Sequence, residues 1–90
     1  MIILVSYDLK VPGRDYSRLY DVLRTADNWW HFLESTWVLS TRDTVQVWSN
    51  RIQGVIDPND RFIVVDITDK PRNGWLPKNA WEWLNANDHA

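Results

Sequence analysis

Trp29-Trp30-His31-Phe32-Leu33-Glu34-Ser35-Thr36-Trp37-Val38-Leu39-Ser40 decides the fold of this chain, because it reads either as one long strand or as two short ones. Aromatic and β-branched residues fill it, as a pleated and half-buried surface favours. Taking Glu34-Ser35 as a tight turn pairs Leu33 with Thr36 and sorts the side chains onto two faces. Trp30, Phe32, Trp37 and Leu39 form one face, wholly apolar and suited to a cover of helices. Trp29, His31, Leu33, Thr36, Val38 and Ser40 form the other, mixed in character and suited to water or a partner. Glu-Ser lacks the Gly or Asn that tight hairpins favour, so the single long strand stands as the alternative.

Upstream of this stretch, Ile2 to Tyr7 is apolar except for Ser6, the pattern of a strand covered on both faces. It ends on Asp8, followed by Leu9-Lys10-Val11-Pro12-Gly13-Arg14. Beyond this turn Asp15 is an N-cap candidate, and Tyr16, Leu19, Tyr20 and Leu23 keep helical spacing, which predicts a helix over 15–26. Downstream, Thr41 or Asp43 caps a second helix in which Val45, Trp48 and Ile52 share a face, and Gly54 stops it. Asp57-Pro58-Asn59-Asp60 is a strong turn signal. A strand is expected over 61–68, and its nearly continuous apolar run predicts a central or well-covered position. A polar loop then leads to Trp75-Leu76-Pro77, where Pro77 suits the first turn of a short helix docked by Ala80, Trp81 and Leu84. The tail, 85–90, is expected to fray.

The order β-α-β-β-α-β is the split βαβ pattern of ferredoxin-like α+β domains, with two helices on one face of a four-stranded antiparallel sheet. One such domain is expected over 1–90, with its core in 1–68 and a C-terminal helical extension at 75–87. The other sheet face needs water, an extension or a second subunit. Trp29, Leu33 and Val38 make it too apolar to be left bare, so a homodimer through this open face is expected, with Trp81 and Trp83 helping to cover it.

Composition narrows the function classes. The 90 residues contain no cysteine and two histidines, His31 and His89, so thiolate metal sites and His-rich sites are excluded. Any metal would be a hard cation on oxygen ligands. The net charge of −2 offers no global attraction for phosphate backbones, although Lys10, Arg14, Arg18 and Arg24 cluster in one stretch. No apolar run approaches the roughly 20 residues that span a bilayer, so no membrane association is expected. No basic stretch precedes the first strand, which argues against a signal peptide and makes the cytoplasm the expected location. Seven tryptophans are more than a small core absorbs, and part of the set is expected to cover a second surface.

Asp8 is the one residue that hints at chemistry, since strand ends combine a rigid scaffold with an exposed loop. A single Asp there is more commonly a turn-former. Arg14, just before the first helix, is a phosphate-binding candidate at that helix's N-terminus, or else a partner of Asp15 or Asp8. His31 is either a general base or a polar residue on the open sheet face.

With these residues in place the chain resembles the CRISPR-associated Cas-two family in topology and in its Tyr7-Asp8 strand end. It is more similar to a group of short bacterial and phage proteins labelled SinR-like, through Ser6-Tyr7-Asp8-Leu9, Pro12-Gly13-Arg14, Trp29-Trp30-His31 and Ser35-Thr36-Trp37. That second resemblance runs from Ile2 to Val65 and brings no activity with it. The Cas-two resemblance implies a symmetric dimer in which Asp8 from each subunit holds Mg²⁺ or Mn²⁺ and activates water for phosphodiester cleavage. Lys10, Arg14 and His31 would then face substrate, and Ser6 would orient a water. Where that family exchanges a C-terminal strand, this chain has Trp75-Leu76-Pro77 and a helix. The alternative function is a non-catalytic dimeric module that binds nucleic acid or protein through its aromatic surface.

Overall fold

The computed structural model describes residues 1–88. The apolar first segment forms β1 (Ile2–Asp8) and lies inside the sheet, as its two-sided burial requires. Around it stand β2 (Asn28–Leu33), β3 (Thr36–Ser40) and β4 (Arg61–Asp66), in the order β2-β3-β1-β4 with every neighbouring pair antiparallel. Two helices, α1 (Ser17–Leu23) and α2 (Val45–Gln53), complete the ferredoxin-like βαββαβ unit, and α3 (Lys78–Asn87) follows it. The expected extension is therefore present, and it stays helical as far as Asn87 where fraying was expected from 85. His89 and Ala90 lie outside the described residues.

Side-chain alternation along β1 divides the core in two. Ile3 and Val5 face α1 and α2, where they pack with Trp37 and Leu39 of β3, Leu19 and Leu23 of α1, and Trp48 and Ile52 of α2. Each large apolar side chain fully buried there contributes about 1.5–3 kcal/mol. The helix α1 is shorter than the sequence pattern suggests. Asp15 takes the Ser17 backbone N–H at 2.9 Å, but Tyr16 stands at the helix start and is buried rather than capping. At α2 the cap is Thr44, whose hydroxyl accepts the Val47 N–H at 3.2 Å, and not Thr41 or Asp43. Thr41 is instead a buried acceptor for the Trp48 indole N–H, at 3.0 Å.

The 29–40 segment is a hairpin in which Leu33 opposes Thr36, as expected, but its faces are not those that a plain register gives. A bulge lies between Trp30 and Leu33, so His31 and Phe32 together span the place opposite Trp37. Trp30 consequently pairs with Val38, and Trp29 with Leu39. The extra residue moves Trp29 and His31 to the helix-covered side, where both rings lie against Trp37. It moves Trp30 to the opposite side.

On that opposite side α3 closes a second cluster, made by Ile2, Trp30, Val38, Ala80 and Leu84, with Trp81 and Trp83 packed against it. The Trp30 indole donates to the Ala80 carbonyl at 3.3 Å and fixes the helix to β2. The cover is partial. The strand β4 lies at the sheet edge and not in a central position, and on the α3 side its Ile63 is 58% and Val65 40% exposed. Its apolar run had predicted full cover. Phe62 and Val64 do receive that cover, packing beneath the two-helix face, while the alternate residues face outward.

Candidate functional site at the end of the central strand

The even-numbered residues of β1 share the α3 side of the sheet, so Leu4, Ser6 and Asp8 run in a line away from the α3 cluster. Register sets Leu4 opposite Val65, Ser6 opposite Ile63 and Asp8 opposite Arg61. On the other flank the Ser6 and Thr36 hydroxyls are hydrogen-bonded at 3.1 Å. Asp8 thus ends a strip that is apolar along β4, hydroxylic in the middle and charged at the rim.

Asp8 is exposed, and its carboxylate is met by the Lys10 ammonium at 2.6 Å. Arg61 is opposite Asp8 in the ladder, but its Nη1 donates to the Asn59 and Asp60 carbonyls, at 3.2 and 3.0 Å. Among the described residues no three His, Asp or Glu side chains come together. Mg²⁺ and Mn²⁺ bind through one or two carboxylates, and the Asp8 carboxylate is here paired with the Lys10 ammonium.

The other candidate residues are placed as follows. Arg14 reaches neither Asp8 nor Asp15 but pairs with Asp57 at 3.4 Å, its guanidinium over the Tyr16 ring. His31 is on the two-helix side rather than the open face, stacked on Trp37 with centroids 4.1 Å apart. Its Nε2 meets the Glu34 carbonyl at 3.1 Å, and its setting is that of a hairpin brace. Lys10 and Arg14 share the β1–α1 loop that follows Asp8, whereas His31 is on β2, two strands away from β1 in the sheet.

One residue that organises this end escapes sequence reasoning. Asp60 is only 5% exposed. Its Oδ1 accepts the Lys10 backbone N–H at 2.7 Å and the Tyr16 hydroxyl at 2.8 Å, and its Oδ2 accepts the Asp57 N–H at 2.8 Å. Burial opposes the charge, but the Lys10 and Asp57 N–H donors and the Tyr16 hydroxyl outweigh it and hold the carboxyl below its ordinary range. Burial and the neighbouring carboxylate push the Tyr16 hydroxyl up. A strap of this kind joins the β1–α1 loop to the turn before β4, and so fixes the position of Lys10 relative to Asp8. The sequence signal was present only as the Asp57-Pro58-Asn59-Asp60 turn.

Tyr7 forms a second anchor just inside Asp8. Its hydroxyl accepts the Trp37 indole N–H at 3.0 Å, and burial pushes its acidity toward higher pH. The chain matches no family model and no curated protein. No described helix is long and apolar enough to cross a membrane.

Proposed function

We propose that this chain is a homodimeric interaction module that associates through the part of the sheet face left open by α3. The observation that carries the reading is the strip of Leu4, Ile63 and Val65 ending in Asp8 and Arg61. Contiguous exposed apolar side chains on a rigid sheet mark an association surface. A two-fold contact would set this patch against itself and bury its apolar side chains. Light scattering at micromolar concentration tests this. A dimer that Val65→Glu converts to monomer is expected, and a monomeric wild type overturns the reading.

A metal-dependent phosphodiesterase, in keeping with the Cas-two resemblance, is the second reading. What favours it is that Asp8 lies on the same face as the association strip, so a two-fold axis near Ser6 would bring two Asp8 carboxylates toward one another. Calorimetric titration with Mn²⁺ separates the two readings. Binding that disappears in Asp8→Asn supports the phosphodiesterase, and no binding to the dimer removes it.

A further inference from the structure

Between β4 and α3 the chain from Asp69 to Pro77 forms neither helix nor strand. Its start is pinned to the sheet, because the Thr68 hydroxyl accepts the Ile2 N–H at 3.0 Å and donates to the Ile2 carbonyl at 3.3 Å. The next residue, Asp69, turns the chain in the left-handed region with φ 54°, a conformation that persists where surrounding bonds hold it. Its N–H donates to the Asp88 carboxylate at 2.9 Å, and Arg72 donates to the same carboxylate at 2.7 Å. Asp88 thus ties the far end of α3 back to the point where the chain leaves the sheet.

Between these two ends the segment fits the sheet loosely. The Trp30 indole meets the Ala80 carbonyl, and the Asn28 amide the Asn87 side chain, both at 3.3 Å and so longer than the usual N–H···O bond. An apolar cleft of about 140 Å³ lies between Arg72, Leu76 and Trp81 of the segment and Leu4, Leu33 and Val38 of the sheet. Side chains that line a gap lose the contacts of close packing. Leu76, Trp81 and Trp83 are accordingly only partly buried, whereas Trp37, Leu39 and Trp48 on the two-helix side are at most 1% exposed.

We propose that residues 69–88 are a latched cover, which opens from the sheet as one unit about Thr68 and Asp69 while the four strands, α1 and α2 stay folded. Asp88 is the latch. Parts of a fold with few buried contacts open at a lower free energy than its core. Opening uncovers Trp30 and Val38 beside Leu4, and so enlarges the apolar face without requiring a second copy.

Native-state hydrogen exchange of the full chain in low urea tests the cover. Amides across α3 should share one urea-dependent opening and exchange at least about 10-fold faster than those of β1 and β3. Thr41→Val, which removes the acceptor of the Trp48 indole on the far side of the sheet, weakens the closed and open forms alike. It should speed exchange in β1 and β3 by about 5- to 100-fold and leave α3 unchanged. Asp88→Ala should speed exchange in α3 by about 10- to 100-fold. If α3 follows β1 in Thr41→Val, the helix opens only with the whole fold and the cover is overturned. Protection that declines residue by residue from Asn87 inward without urea dependence is end fraying, and overturns it equally. Unchanged α3 exchange in Asp88→Ala overturns the latch.

Discussion

Replacing Asp60 with alanine removes the acceptor shared by three donors at the end of the sheet that carries Asp8. The Lys10 and Asp57 N–H groups and the Tyr16 hydroxyl lose partners at 2.7, 2.8 and 2.8 Å. A hydrogen bond to a charged group is worth about 1.5–3 kcal/mol, and the two part-buried backbone donors regain water, so the expected loss is about 3–4 kcal/mol. Domains of this length have a total stability of about 5–13 kcal/mol, so the variant should remain folded with a much lower urea midpoint. Asp60→Asn keeps an acceptor for Lys10 and Tyr16 but sets an amide N–H₂ against the Asp57 N–H, and should lose about 2 kcal/mol. The pH dependence supplies an independent check. Because the folded carboxyl titrates below its ordinary range, its contribution is complete above the unfolded value of about 3.9 and is lost as pH falls through the folded one. The wild type should therefore lose stability more steeply than Asp60→Asn as pH falls below about 5. A loss below about 1 kcal/mol in Asp60→Ala, or parallel acid profiles, would refute the assignment of Asp60 as the strap.

Three further outcomes are expected. Tyr7→Phe leaves the Trp37 indole N–H without its acceptor and should cost about 1–3 kcal/mol by urea unfolding. It should also flatten the alkaline limb, because the raised Tyr7 contributes stability that is complete below about pH 10 and lost as pH rises through its folded value. Thr41→Val removes the acceptor of the Trp48 indole and should likewise cost about 1–3 kcal/mol in the same assay. Lys10→Ala breaks an exposed ion pair and should change stability by less than about 1 kcal/mol, so any larger effect on association would place Lys10 in the interface.

The sequence made the element order legible because each strand is bounded by a turn signal and each helix has buried residues at helical spacing. The central place of β1 followed from an apolar run bounded by Asp8. The faces of the hairpin did not follow, because one bulged residue between Trp30 and Leu33 exchanges sides without changing composition. Thus Trp29 and His31 moved to the helix side, and His31 lost the place that a site on the open face requires. The strand β4 was misplaced for a related reason. A continuous apolar run is written alike for a strand buried on both faces and for an edge strand that keeps one apolar face for another surface, as Ile63 and Val65 do. Asp60 was hidden for a third reason, since its burial depends on Tyr16, 44 positions away, and no local pattern encodes that contact.

The central claim is that the open part of the sheet face joins two copies of the chain, and small-angle scattering addresses it most directly. One chain has a Cα radius of gyration of 13.1 Å. Compact scaling with chain length predicts about 17 Å for a dimer at micromolar concentration, returning to the single-chain value in Ile63→Lys. A wild-type value that stays near 13.1 Å, or a dimer indifferent to Ile63→Lys, would contradict the account.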